Sequence, residues 1–172
     1  VTKPLFDNIC DENVFSKVFE TWAKDLQQFL YYKYGNQLNV EDKVQEAFTK
    51  LWENCSTTSP EKAKSFLFTV ANNLCLNEIK HQKVVIKHQK ENPLKIASIE
   101  TPQYTLEEKE YLQKFEYALS QLTEAQRVAF MMNRAEGKRH KEIAEILGIS
   151  RKAVEKRIYG AVDKLREYLK EI

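Results

Sequence analysis

Ser150, Arg151, Lys152, Glu155, Lys156 and Tyr159 put a hydroxyl, three cations, a carboxylate and a phenol within ten residues. On a helix these positions share one side, and the chemistry they offer is recognition: cations and amide-like donors for phosphates and base edges, a carboxylate for a base amine. Nothing comparable is arranged for making or breaking bonds. His81, His88 and His140 have no serine or cysteine partner at a recognisable spacing, no Gly-rich phosphate loop occurs, and the carboxylates form no metal-type cluster. No catalytic residue, no metal and no cofactor are therefore expected. Cys10, Cys55 and Cys75 are isolated and odd in number, so they read as small buried or surface residues, without a disulfide frame or a zinc site.

The element that must carry the recognition residues is legible from Lys138 to Leu169. Ile143, Ala144 and Leu147 share a face of a short helix, Gly148 can take the left-handed backbone of a tight turn, and Ser150 can cap a second helix. Within that second helix Val154, Ile158, Ala161, Val162, Leu165 and Leu169 recur at three- and four-residue steps and point inward. The pattern predicts a helix-turn-helix whose second helix enters a DNA groove. An ordinary helical hairpin with a solvated charged face is the alternative reading of this segment alone.

Four glycines and four prolines in 172 residues, with 42% hydrophobic content, indicate an all-helical globular chain. No apolar run approaches the roughly 18–20 residues of a membrane span, and Val1-Thr2-Lys3-Pro4 does not open a signal peptide, so a soluble, cytoplasmic protein without membrane insertion is expected. Net charge alternates along the chain, −3 over residues 1–60, +4 over 61–95, −3 over 96–132 and +4 over 133–172. Two basic blocks suit two nucleic-acid contacts, and the acidic first block suits a basic protein partner.

Further helices follow from periodicity. Asp11 can cap one with Val14, Phe15, Val18, Phe19, Trp22, Leu26, Phe29 and Leu30 as its apolar stripe, ending near Gly35. Asn39 begins a second, where Val44, Ala47, Phe48, Leu51 and Trp52 form the buried pattern and Asp42, Gln45, Glu46, Thr49 and Lys50 remain. After the polar stretch Cys55–Pro60, a third helix offers Phe66, Leu67, Val70, Ala71, Leu74 and Ile79 to the core. It mixes Phe68, Asn72, Asn73 and Asn77 with lysines near its ends, which suits single-stranded nucleic acid or an ordinary core helix with solvated ends. Residues 84–104, with Pro93 and Pro102, read as a linker. An acidic helix over 104–121, with Leu106, Phe115, Leu119 and Leu122 inward, then precedes a Thr123–Gln126 capping box.

Taken together, EDKVQEAFTKLWEN, KSFLFTVANNLCLNEIKHQK and the stretch from Leu119 to Leu169 resemble, in that order, motifs of the bacterial RNA polymerase sigma factors of the extracytoplasmic-function (ECF) group. The resemblance covers nearly all of the chain after about Asn13. It implies two small helical domains joined by a linker, 1–85 (region 2), 86–104 and 105–172 (region 4, the helix-turn-helix).

The resemblance also implies roles. Asp42, Gln45, Glu46, Phe48 and Trp52 match the helix that grips the polymerase beta-prime clamp. The Ser56–Pro60 loop with Lys64, Ser65, Phe68, Asn72, Asn73, Lys80 and Lys83 matches the segment that captures the minus-10 strand. Ser150, Arg151, Lys152, Glu155, Lys156 and Tyr159 match the minus-35 reader. Implied partners are core RNA polymerase, at its beta-prime clamp and beta flap, promoter DNA and an anti-sigma factor. Phe66 stands where many members carry Trp, Lys80 and Lys83 replace arginines, and Gly160 replaces a basic residue, costing its helix roughly 1 kcal/mol relative to alanine. The expected function is promoter recognition, opening and transcription initiation with the polymerase. The rivals are a free-standing helix-turn-helix regulator and a helical adaptor that only bridges proteins.

Overall fold

The computed structural model describes residues 8–35, 38–89 and 114–170. Its elements are α1 (Glu12–Tyr34), α2 (Val40–Glu53), α3 (Pro60–Gln89), α4 (described over 114–120), α5 (Glu124–Arg134), α6 (His140–Leu147) and α7 (Arg151–Lys170). They fall into two compact units, Val1–Glu91 and Asn92–Ile172.

In the first unit α1, α2 and α3 pack pairwise on one another. Asp11 caps α1 by accepting from the N–H of Asn13 at 2.8 Å and of Val14 at 3.3 Å, and Asn39 caps α2 through the N–H of Asp42. These side chains satisfy donors that a helix start leaves unpaired. The core is Leu26 and Leu30 from α1, Val44, Ala47, Phe48 and Leu51 from α2, and Ala63, Leu67, Ala71 and Cys75 from α3, closed by Ile9 ahead of α1. Along α3 the fully buried line runs at strict four-residue steps, and Phe66, Val70 and Ile79 flank it. Phe19, expected in the inward stripe of α1, is instead exposed and lies tilted against Phe48, with ring centroids 4.8 Å apart.

Two further expectations are corrected. Cys10 and Cys55 are joined by a disulfide, because α1 and α2 bring their ends together across 45 residues of sequence; only Cys75 is a free thiol, and it is buried. Burial pushes the Cys75 thiol up, with Lys43 and then Lys33 opposing the shift. The boundary at 85/86 also moves: α3 continues through 86–89, residues expected to be linker. The remainder of the expected linker, and Leu106, lie outside the described residues.

In the second unit α5 and α6 both pack on α7. The capping box is present: Gln126 N–H donates to Thr123 Oγ1 at 3.2 Å, and Thr123 N–H donates to Gln126 Oε1 at 3.2 Å. Gly148 ends α6 at φ 65° and ψ 35°, the left-handed conformation the turn requires. Ser150 Oγ then accepts from Ala153 N–H at 3.2 Å, starting α7. Val154, Ile158, Ala161 and Leu165 are buried as the spacing predicts, with Val162 half-buried beside them. On α6 the buried pair is Ile143 and Ile146; Ala144 and Leu147 sit at the margin.

Gly160 acquires a reason. A Cβ there would lie 2.9 Å from Gln126 Nε2, so the missing side chain makes room for the capping-box amide. Gly160→Ala should gain up to about 1 kcal/mol of helix propensity and lose a similar amount by twisting that amide off Thr123. Near-zero net change is therefore expected in the wild type, and stabilisation by about 1 kcal/mol in a Gln126→Ala background. Thermal melts of the four proteins of this cycle check it; equal effects in both backgrounds would separate the glycine from the cap.

Candidate nucleic-acid and protein interfaces

The outward side of α2 carries Asp42, Gln45, Glu46 and Trp52, all exposed. Glu46 pairs with Lys50 at 3.7 Å along the same helix, an exposed contact of little stability value. Trp52 makes a T-shaped contact with Phe15, 5.1 Å between centroids, and remains 41% exposed beside the acidic row. Phe48 behaves differently: it is 4% exposed and forms part of the core against Phe15 and Phe19. Phe48 thus holds the helix down, while Asp42, Gln45, Glu46 and Trp52 face outward.

On α3, Ser65 and Asn73 lie in an exposed line that continues to Lys80. Thr69, Leu76 and Asn77 complete this line, and Thr69 and Leu76 were not singled out from sequence. The signal was available, since 65, 69, 73, 76, 77 and 80 follow three- and four-residue steps. Other members of the expected set are half-buried and tied to α1. Lys64 Nζ sits over the Trp22 ring at 5.5 Å, and Phe68 packs against Phe29 at 5.2 Å. Asn72 Oδ1 accepts from Lys33 Nζ at 2.8 Å and from Tyr34 OH at 2.7 Å. Both bonds use the oxygen, so the Asn72 amide N–H2 is left to donate. The side chain of Lys83 lies outside the described residues.

The loop that delivers α3 is organised around one carbonyl. Asn54 O accepts from the N–H groups of Thr57 and Thr58, both at 3.1 Å, and from Thr57 Oγ1 at 3.1 Å. Ser56 and Thr57 remain exposed at its tip.

On α7, Arg151, Lys152, Lys156 and Tyr159 are exposed beside the capping Ser150. Glu155 is drawn inward from this row. Arg151 Nε donates to Glu155 Oε1 at 3.0 Å, and His140 Nδ1 of α6 lies 3.6 Å from the same oxygen. The Nε bond orients the guanidinium and leaves its Nη groups outward. Arg139 occupies the cap position, its N–H donating to Glu142 Oε2 at 2.6 Å, and His140 reaches Glu155 of α7 instead.

Among the described residues no group of histidine, cysteine or acidic side chains could hold a metal, and no helix is long and apolar enough to cross a membrane.

Comparison with known proteins assigns both units. The family Sigma-70 region 2 matches residues 18–84, and Sigma-70, region 4 matches residues 112–165. The ECF RNA polymerase sigma factor SigM of Bacillus subtilis is 24% identical over 152 residues, covering 87% of this chain and 91% of SigM. Among solved structures, the sigma factor RpoE of Bartonella quintana, crystallised with the anti-sigma factor NepR, matches over 91% of this chain and 96% of its own, with TM-score 0.56 and 24% identity. At that identity the likeness concerns fold. An RsbN–BldN complex aligns over 91% of the chain at TM-score 0.34 and 17% identity, too low to add to the argument. With region 2 on the three-helix unit, region 4 on the helix-turn-helix and both in the order the sequence motifs give, the chain belongs to the sigma-70 family of RNA polymerase sigma factors, in its ECF group.

Proposed function

We propose the following division of labour within this sigma factor. Asp42, Gln45, Glu46 and Trp52 of α2 meet the beta-prime clamp of core polymerase. Phe48 holds that face in place from beneath. The Ser56–Pro60 loop, Lys64, Ser65, Phe68, Asn72, Asn73, Lys80 and Lys83, together with Thr69, receive the minus-10 strand as the duplex opens. Extruding a base costs a few kcal/mol, which ring stacking and amide contacts offset. Ser150, Arg151, Lys152, Glu155, Lys156 and Tyr159 read the minus-35 element, and the helix-turn-helix unit also meets the beta flap. The protein works in the cytoplasm and catalyses no bond change; its regulator is an anti-sigma factor, the class of partner bound to the Bartonella protein.

The observation that carries the reading is the Arg151–Glu155–His140 cluster at the start of α7, a guanidinium held in plane on an otherwise exposed basic helix. Base readers are preorganised in this way, whereas phosphate contacts need only charge. Arg151→Ala should cost about 1–3 kcal/mol at one base pair of the minus-35 element and leave minus-10 selection unchanged. Selection of randomised promoters by the polymerase-bound protein checks this. A uniform loss across unrelated sequences would make Arg151 a phosphate contact, and tight selection by the protein without polymerase would favour a free-standing regulator.

A further inference from the structure

Cys10 and Cys55 are presented to each other by two segments that are held independently of the bond between them. Ile9 is wholly buried, Cys10 N–H donates to Asn8 Oδ1 at 3.0 Å, and Asp11 N–H donates to Asn8 O at 3.0 Å, so the turn before α1 is anchored on both sides of Cys10. Cys55 N–H donates to Trp52 O at 3.1 Å, and the next residues converge on Asn54 O. Reduction would therefore leave two thiols as neighbours. Both cysteines are half-buried and reachable, while Cys75 is enclosed in the core. A reachable disulfide in a reducing compartment is a reversible group, in contrast to the permanent staples of secreted domains.

We propose that Cys10 and Cys55 form a redox modification site, closed by hydroperoxides and opened by dithiol reductants, whose closure fixes the promoter-opening loop. One thiolate attacks the peroxide oxygen and becomes a sulfenic acid as the alcohol, or water from hydrogen peroxide, departs. The second thiolate attacks that sulfur and releases water. In sum two thiols and one hydroperoxide give the disulfide, one alcohol and one water, the two sulfurs being oxidised and the peroxide reduced. A reducing dithiol reverses this by exchange through a mixed disulfide.

The consequence lies one residue away. Cys55 is the residue at which α2 gives way to Ser56–Pro60, and closure ties that point to the anchored turn at Ile9–Asp11. A loop so tied has fewer arrangements to lose when it takes up an extruded base. This part of the proposal rests on the reading of Ser56–Pro60 as the minus-10 segment.

The test uses the full chain. Reduced protein is treated with stoichiometric hydrogen peroxide, free thiols are counted by alkylation and mass, and both forms are assayed with core polymerase on a duplex promoter and on the same promoter with a premelted minus-10 region. With alkylation carried out on unfolded protein, one free thiol per chain, Cys75, is expected after peroxide and three after reduction. The closed form should give several-fold more transcript on the duplex, and both forms should be equal on the premelted template. Cys10→Ser and Cys55→Ser should each block closure and stay at the reduced level with or without peroxide. Over-oxidation, cross-linked dimers or reaction at Cys75 would overturn the site. Closure with equal transcript on the duplex would overturn the coupling to promoter opening. Closure with no transcript in any arm would overturn the sigma assignment of the loop while the thiol count upholds the redox site.

Discussion

Gln45→Ala combined with Glu46→Lys should lower affinity for core polymerase by at least about 100-fold while leaving the thermal midpoint of the protein unchanged. Both side chains are exposed, and Glu46 makes only the i,i+4 contact with Lys50, so the fold has little to lose. The interface has much to lose. In the proposed interface a carboxylate facing a basic clamp would become an ammonium facing it, and like charges brought together at an interface cost several kcal/mol, with each 1.4 kcal/mol a factor of ten. Titration of labelled protein into sigma-free polymerase gives the affinity, and a melt gives the control. Wild-type affinity in the double variant would return the α2 row to an ordinary solvated face.

The second large effect is expected inside the helix-turn-helix. Val154 is fully buried where α7 meets α6, and among the described residues no polar or charged side chain is buried anywhere. Val154→Asp places a carboxylate there without a partner. Its desolvation costs several kcal/mol against the total of about 5–15 kcal/mol typical of a domain, and this unit is small. The second unit should unfold at neutral pH. The new carboxyl would be held above its unfolded value of about 3.9 in any folded molecule. The deficit is therefore absent below that value, grows as pH rises through it and is full above the raised folded value. Acidification toward pH 4 should recover part of the helix. The probes separate the units: Trp22 and Trp52, the chain's two tryptophans, both lie in the first unit. Tryptophan emission should keep its wild-type unfolding transition while far-ultraviolet dichroism loses the contribution of α5–α7. Loss of both signals together would show that the units do not fold independently.

How much of this was legible depended on whether the signal was local. Gly148 and Ser150 specify the turn because one supplies a backbone conformation and the other a capping oxygen, and both act within four residues. Thr123 and Gln126 are legible for the same reason. α6, with only eight residues, gives too few turns for periodicity to decide its inward face, and Ile146 was missed. The end of α3 was placed early because the apolar periodicity fades after Lys83, although no glycine or proline lies between Pro60 and Pro93. The Cys10–Cys55 bond, the Lys33–Asn72–Tyr34 cluster and the contact of His140 with Glu155 were not legible at all. Each joins residues far apart in the chain that lie on or beside different helices, and composition cannot say which helix ends meet. The Gly160–Gln126 contact is of the same kind: the sequence exposes the helix penalty, while its compensation lies 34 positions away in α5.

Asn72 and Asn73 are chemically identical neighbours, yet they enter a binding event with different thermodynamic histories. Lys33 and Tyr34 have already stopped the rotation of the Asn72 amide, and folding of the first unit has absorbed that loss of freedom. Asn73 is exposed and must surrender its rotamers when a nucleotide arrives. In the proposed minus-10 role, Asn72 would be a rigid template that rejects a misaligned base, whereas Asn73 would adapt to whichever one is offered. Under that reading, stringency at one position of the melted strand and tolerance at the next would arise from a single lysine–tyrosine clamp on a different helix.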